Sequence, residues 1–185
     1  MIEDLLKDAG TRMDKAIEVL RREFAGLRAG RATPALLDRV RVDYYGVPTP
    51  VTQLATVLVP EPRLLVIQPW DKTIVGAVEK AILKSDLGIT PINDGQAIRL
   101  TIPRLTSERR QELIKLVRKL AEEARVSARN VRREVNDDLR SLEKDSDITE
   151  DQYYRALEKA QKITDASVEQ IDDLLEQKEK ELSEV

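Results

Sequence analysis

Hydrophobic residues recur at three- and four-residue spacing in three long stretches of the chain, which is the period of an amphipathic helix. The first stretch covers residues 1–28. The second runs to about residue 144 from Thr106 or Ser107, either of which can serve as an N-cap. The third follows the capping-box sequence Thr149-Glu150-Asp151-Gln152. Each apolar stripe is too long and narrow to be buried alone, so the pattern predicts a long antiparallel three-helix bundle.

A different pattern occupies residues 40–103, where short runs rich in β-branched residues alternate with glycine and proline. The stretch from Asp71 to about Leu83 has helical spacing, with Asp71 in the capping position. These features predict a small β/α/β domain inserted after the first helix, and therefore an α+β protein. The predicted strands are Val40–Tyr45, Leu54–Val59, Leu64–Gln68 and Ala97–Ile102.

The insertion divides the chain into residues 1–29 plus 106–185, the bundle or domain I, and residues 31–104, the small domain II. Glycine and proline interrupt the helical pattern at both junctions, so we expect hinges at about 29–34 and 102–106. Two side-by-side connections favour motion about one axis over free tumbling. The expected hinge residues are Gly30, Arg31, Ala32, Thr33, Pro34, Pro103, Arg104 and Leu105.

The chain contains neither cysteine nor histidine, which excludes thiol chemistry, Ser–His and Cys–His nucleophile pairs and the usual zinc sites. A hydrolase could still use the adjacent carboxylates Asp137-Asp138 or Asp172-Asp173, but neighbours on a helix point about 100° apart and do not converge on one substrate atom. We therefore expect no enzymatic activity, no metal site and no cofactor. Since the sequence has no leader and no apolar run of membrane-spanning length, we expect a cytoplasmic protein that binds no membrane.

Charge is distributed unevenly along a chain whose net charge is only −3. Residues 99–133 carry 11 basic and 4 acidic side chains, whereas residues 134–185 carry 7 basic and 17 acidic ones. A basic block on a nearly neutral protein indicates a local binding site for a polyanion.

The basic block contains an arginine stripe. At about 100° per residue, four arginines of the second helix fall within about 60° of one another: Arg118, Arg125, Arg129 and Arg132. Glu122 lies one turn from Arg125 and Asp137 one turn from Arg133, but Arg129 and Arg132 have no acid three or four residues away. Arginines without local partners favour bidentate binding of external phosphates, and the scarcity of aromatic residues favours recognition of structured RNA through its backbone.

Two alternative roles of the arginine stripe stay open from the residues alone. The arginines can belong to a solvated helix face held by local ion pairs. They can also pair with the acidic last helix of another copy, which would indicate a non-enzymatic coiled-coil scaffold or chaperone.

The chain resembles the ribosome recycling factor family in a series of motifs that follow the family's order. They extend from near the start of the sequence to past its middle, and the acidic last helix matches in character only. The motifs are Arg12-Met13-Asp14-Lys15, Leu27-Arg28-Ala29-Gly30-Arg31-Ala32-Thr33-Pro34, Tyr44-Tyr45-Gly46-Val47-Pro48-Thr49-Pro50 with Gln53-Leu54-Ala55, Val78-Glu79-Lys80-Ala81-Ile82 with Ser85-Asp86-Leu87-Gly88, Leu105-Thr106-Ser107-Glu108-Arg109-Arg110 and Ala124-Arg125-Val126-Ser127-Ala128-Arg129-Asn130-Val131-Arg132-Arg133.

The resemblance implies an L-shaped factor in which the bundle and the small domain are joined by a flexible pair of linkers. Such factors bind the post-termination ribosome and, with elongation factor G and GTP hydrolysis by that partner, split it into subunits for recycling. This sequence has no GxxxxGK[ST] loop, in agreement with GTP binding to the partner. The implied partners are the large ribosomal subunit with its rRNA and elongation factor G, and we expect a monomer.

In the family, arginines of the second long helix and of the bundle end beside the linker contact rRNA. The family motif here is occupied by Arg110, Arg129 and Arg132, with Arg28 and Arg31 beside the linker. With Arg118, Arg125 and Arg133 of the basic block added, the candidate rRNA-binding residues are Arg110, Arg129, Arg132, Arg125, Arg118, Arg133, Arg28 and Arg31.

Overall fold

Four α-helices and six β-strands are formed within residues 1–27 and 30–184, the part of the chain that the computed structural model describes. The helices are α1 (Ile2–Ala25), α2 (Val75–Lys84), α3 (Ser107–Lys144) and α4 (Glu150–Ser183). The strands are β1 (Arg41–Tyr44), β2 (Val47–Pro50), β3 (Ala55–Glu61), β4 (Leu64–Pro69), β5 (Ile92–Asn93) and β6 (Ile98–Thr101). Contacts divide the chain into a helical unit, Met1–Arg28 with Ser107–Glu184, and a sheet unit, Ala29–Thr106.

The helical unit consists of α1, α3 and α4 packed along their apolar seams. Exposed ion pairs also join neighbouring helices, since Arg12 of α1 contacts Glu134 of α3 and Lys159 of α4 contacts Glu3 of α1. Each fully buried leucine or isoleucine stabilises this packing by about 1.5–3 kcal/mol. The largest fully buried side chains of the unit are Met13, Leu20, Leu113, Leu139, Ile171 and Leu182.

The turn between α3 and α4 has the hydrogen bonds of a Schellman motif. Ser146 donates its N–H to the Glu143 carbonyl at 3.1 Å, and Asp147 donates to the Leu142 carbonyl at 2.9 Å. Ser146 has a φ of 62°, the left-handed conformation that glycine adopts most readily. Ile148, two residues later, is buried in the core of the helical unit, so α3 ends sharply and α4 returns antiparallel to it.

The predicted capping box at the start of α4 is present. Thr149 Oγ1 accepts from the Gln152 N–H at 3.2 Å, and Gln152 Oε1 accepts from the Thr149 N–H at 2.8 Å. At the other end of the bundle, α1 stops at Ala25, three residues before the predicted end at residue 28. Gly26 follows directly, and glycine is a poor helix former because it loses the most backbone entropy.

The sheet unit contains a β1–β2 hairpin and a four-stranded antiparallel sheet of order β3-β4-β6-β5. Its core includes Val75, Val78 and Ile82 of α2. The same core holds side chains of alternating positions in the central strands, which are Leu65, Ile67, Ile98 and Leu100.

The predicted α+β fold class, with long packed helices and an inserted sheet, is confirmed. Two strands were not predicted. β2 carries Pro48 and Pro50, and the sequence suggests that these prolines lie in turns. The strand can form because it pairs only with β1, and prolines are tolerated in an edge strand. β5 has only two residues. Asp71 caps a short 3₁₀ turn, Lys72–Ile74, and α2 begins after it rather than at Asp71 itself.

Candidate nucleic-acid interface

Two arginines of the predicted stripe reach across from α3 to carboxylates of α4. Arg118 Nε lies 2.6 Å from Glu179 Oε1. Arg125 places Nε 2.8 Å and Nη2 2.6 Å from Asp172 Oδ1. The predicted stripe therefore runs along the boundary between α3 and α4, and we call it the arginine edge.

Arg129 also has an acidic partner, although no acid lies three or four residues from it in the sequence. Its Nη1 lies 3.3 Å from Glu122 Oε1, while Glu122 Oε2 lies 3.0 Å from Arg125 Nη1. Glu122 is two helical turns from Arg129, and the two extended side chains span a gap that a count of three- and four-residue neighbours does not include.

Arg132 contacts a neutral group. Its Nη1 donates to Gln161 Oε1 of α4 at 3.2 Å, and Gln161 Nε2 donates in turn to Asp165 Oδ1 at 2.7 Å. Within the described part of the chain no ion pair of Arg132 with a carboxylate is formed. Arg132 is therefore the member of the arginine edge whose charge is least neutralised by its surroundings.

Arg133 is exposed. Its Nη1 lies 3.5 Å from Asn130 Oδ1, in place of the Asp137 partner that its spacing predicts. A 3.5 Å contact is at the limit of a hydrogen bond, so this guanidinium is weakly held.

The arginines of the edge differ in how deeply they are buried and in how strongly neighbouring carboxylates bind them. The Arg125 side chain is 19% exposed, whereas that of Arg129 is 41% exposed. Burial lowers the pKa of Arg125, but its hydrogen bonds to Asp172 and Glu122 outweigh this effect, so the pKa stands above its ordinary value. Arg125 thus has a structural role in joining α3 to α4, and Arg129 and Arg132 are better placed to meet an external anion.

Two other candidate arginines have partners of their own. Arg110, near the start of α3, and Arg31 of the sheet unit are half-buried, and both interact with other groups of the protein. Arg28 lies outside the described residues. Within the helical unit, the structure therefore brings Arg118, Arg125, Arg129 and Arg132 together in one row.

The segments predicted as hinges are partly fixed to the sheet unit. Ala32 is buried and donates its N–H to the Pro62 carbonyl at 2.8 Å. Thr33 accepts from the Ala35 N–H at 3.1 Å and caps a 3₁₀ turn that starts at Pro34. Gly30, with a φ of 70°, precedes these contacts, and the segment 103–106 has no regular secondary structure.

The partners on α4 were not identified from the sequence, although a signal for them exists. The pairs Arg118–Glu179 and Arg125–Asp172 share one sequence midpoint, which falls between Ile148 and Thr149 at the α4 side of the α3–α4 turn. Antiparallel helices joined by a short turn align residues in this way, so the acidic last helix can be matched to the basic block once the turn is located.

Neither a metal centre nor a membrane span is suggested by the geometry. No group of three or more His, Cys, Asp or Glu side chains within residues 1–27 and 30–184 is arranged to hold a metal ion. In that same part of the chain, no helix combines the length and the apolar character needed to cross a membrane.

Comparison with known proteins gives matches along nearly the whole chain. A family model described as ribosome recycling factor matches residues 20–182. The ribosome-recycling factor of Carboxydothermus hydrogenoformans is 62% identical over 182 residues, with 98% of each chain covered. That of Shouchella clausii is 60% identical over 185 residues, which cover 100% of both chains.

Solved structures agree with these sequence matches. A ribosome recycling factor solved in solution is 47% identical, with a TM-score of 0.78 and coverage of 100% of this chain and 98% of that one. A second chain, also 47% identical, has a TM-score of 0.65 and 98% coverage of both chains. It comes from models for the T. thermophilus ribosome recycling factor and the E. coli elongation factor G bound to the E. coli post-termination complex. Since the sequence and the fold both match from end to end, the chain belongs to the ribosome recycling factor family.

Proposed function

We propose that this ribosome recycling factor acts on the post-termination ribosome together with elongation factor G, and that it anchors itself to rRNA of the large subunit through the arginine edge of α3. The observation that carries the function is its full-length similarity to a factor placed with elongation factor G on the post-termination complex. It is a translation factor of bacterial type that works in the cytoplasm, and it is not an enzyme.

The rRNA contacts are proposed to come first from Arg132 and Arg129. A guanidinium binds a phosphate through two parallel, charge-assisted hydrogen bonds. Arg132 gives up only a neutral hydrogen bond at 3.2 Å when it turns towards a phosphate. To bind a phosphate, Arg129 must break its 3.3 Å ion pair with Glu122, whose side chain is 54% exposed. Such exposed ion pairs contribute little, so the exchange is close to neutral before the phosphate is bound.

The remaining candidates are proposed to contribute less, for reasons that differ between them. Arg118 and Arg125 reach RNA only by competing with carboxylates of α4 at 2.6 Å. Arg133 is exposed and adds charge beside the edge, while Arg110, Arg28 and Arg31 would extend the contact towards the end of the bundle.

The action on the ribosome is proposed to be mechanical. Residues 1–29 plus 106–185 would form the anchored domain, and residues 31–104 the domain that receives motion from elongation factor G as that partner hydrolyses GTP. Because Ala32 and Ile102 are hydrogen-bonded within the sheet unit, we propose that bending is concentrated before Ala32 and in Pro103, Arg104 and Leu105. Shortening these segments should preserve binding and reduce subunit splitting.

Co-sedimentation with purified large subunits, with and without elongation factor G, tests the proposal. The protein should pellet with large subunits at low salt and progressively less as salt rises, because phosphate contacts release counterions. Subunit splitting, followed by light scattering, should require both elongation factor G and GTP. Binding that does not depend on salt would contradict anchoring through arginine–phosphate contacts.

The arginine edge also bears on the scaffold alternative. A scaffold of that kind would use the acidic last helix of another copy to neutralise the arginines. Here α4 of the same chain supplies Glu179 and Asp172. We therefore expect a monomer, which a molar mass near 21 kDa by light scattering would support.

A further inference from the structure

α3 has a second edge, on the side that faces α1, whose chemistry is opposite to that of the arginine edge. At about 100° per residue, Leu120, Glu123 and Ser127 lie about 140–200° around the helix from Arg118. Together with residues of α1 they line a groove of about 190 Å³. We call this side of the bundle the α1–α3 edge.

The groove combines an apolar floor with an acidic rim. Leu20 of α1 and Ala124 of α3 are buried at its base, and Val19 beside them is 51% exposed. Glu23 and Glu123, both exposed, stand at the rim and form no ion pair with any residue in the described part of the chain. An exposed valine next to an open apolar groove has surface available for burial by a partner.

The same combination recurs further along the edge. Between the start of α1 and the end of α3 lies a second, wider groove of about 570 Å³. Its apolar lining includes Leu5 and Leu142, and its carboxylates are Asp4, Asp8 and Asp138. The Arg12–Glu134 ion pair lies between the two grooves along the helices. Cations partner the carboxylates of this second groove, since the Met1 ammonium lies 3.0 Å from Asp4 Oδ2 and Arg12 interacts electrostatically with Asp8 and Asp138. Among the groove-lining carboxylates of the described residues, Glu23 and Glu123 of the first groove are therefore the ones best placed to pair with a partner.

We propose that the α1–α3 edge docks a basic, partly apolar segment of a protein, and not nucleic acid. Glu23 and Glu123 at the first groove repel phosphates, whereas lysine or arginine side chains of a partner would pair with them. Leucine or isoleucine side chains of the same segment would fill the apolar hollows, as when an amphipathic helix lies in a groove between two helices. This inference rests on the proposed function, because the segment would belong to a protein component of the ribosome-bound complex. α3 would then meet RNA along one edge and protein along the other.

Site-specific crosslinking tests the inference, and the chain is suited to it because it has no native cysteine. Val19→Cys labelled with a benzophenone maleimide would be bound to purified post-termination ribosomes with elongation factor G and irradiated. The crosslinked partner would then be identified by nuclease and protease digestion and mass spectrometry. Val126→Cys is the matched control, because Val126 is exposed on a different face of α3.

The expected product of Val19→Cys is a crosslink to one protein peptide that contains lysine or arginine beside apolar residues, and Val126→Cys should not give this product. Replacing both rim residues, Glu23→Gln with Glu123→Gln, should lower its yield at least threefold. A crosslink from residue 19 to rRNA overturns the inference, as does the lack of any crosslink from labelled protein that still co-sediments with ribosomes. A concentration-dependent dimer that Val19→Lys disperses would overturn it in favour of self-association. If the unmodified chain fails to co-sediment, the proposed function itself fails.

Discussion

Replacing Arg132 by alanine should weaken binding to the large ribosomal subunit while the helical unit stays folded. In the free protein Arg132 makes one hydrogen bond, to the neutral Gln161 at 3.2 Å, and a bond of this kind contributes about 0.5–1.5 kcal/mol to stability. Contacts between a guanidinium and phosphates are charge-assisted and contribute about 1.5–3 kcal/mol each. After the lost Gln161 bond is subtracted, one such contact leaves a net of about 1 kcal/mol and at most about 2.5 kcal/mol, so Arg132→Ala should raise Kd about 5- to 70-fold.

The measurement is pelleting with purified large subunits at moderate salt, with the unfolding free energy of each variant determined by chemical denaturation. Arg155→Ala is the matched control, because it removes the same charge from an exposed arginine of α4 whose contact is Asp151, one turn away. We expect a much larger effect for Arg132→Ala than for Arg155→Ala, and no change in helical content for either. Equal losses of binding in the two variants would refute a specific role for Arg132 and leave only a general effect of charge.

Three further predictions concern the stability of the two units. In a double-mutant cycle of Arg125→Ala and Asp172→Ala, the coupling free energy should be about 0.5–1 kcal/mol. It should decrease with added salt, because the Asp172 side chain is 53% exposed. A coupling free energy of zero would contradict a structural role for Arg125. Ser146→Gly should stabilise the helical unit against denaturant by about 0.5–1 kcal/mol, because its φ of 62° suits glycine, and no gain would mean that the turn tolerates serine without strain. Hydrogen bonds from the Ala97 and Gln96 N–H groups hold the pKa of Asp94 below its ordinary value of 3.8. The stability that these bonds provide is fully present above pH 3.8. It is lost as the pH falls through the lower pKa that Asp94 has in the folded protein. Asp94→Asn keeps an acceptor without the titration, and thermal unfolding between pH 5 and pH 2.5 should therefore show a shallower acid loss for the variant; identical acid profiles would argue against this contribution.

The helices were predictable because each depends on a signal that lies within its own sequence. α3 begins at Ser107 and ends at Lys144, where the apolar period and the polar turn predict its ends. α4 begins where the capping box predicts. β2 and β5 were missed because one contains two prolines and the other has two residues, so neither has the alternation that identifies a strand.

The arginine edge was predicted in its members and not in its contacts. Helical spacing is a local property, and it places Arg118, Arg125 and Arg132 on one line. Their partners depend on how α4 packs against α3, which is a tertiary property that i±3 and i±4 counting cannot supply. Gln161 and Asp172 are 29 and 47 residues away from the arginines that they contact.

These contacts change the physical basis for RNA binding that the sequence supports. In the sequence, arginines without nearby acidic residues are the reason to expect that the stripe binds an external anion. In the structure, Arg118, Arg125 and Arg129 each have a carboxylate within 3.3 Å. Positive charge alone therefore does not make the edge a binding site, because α4 neutralises much of it.

The carboxylates that pair with these arginines have a physical consequence of their own. They hold long side chains in extended conformations along one edge, which lowers the entropy lost on binding. Under the proposed function they would also repel any polyanion that cannot offer phosphates in the positions of Arg129 and Arg132. The paired arginines would then favour a defined RNA surface over nucleic acid in general.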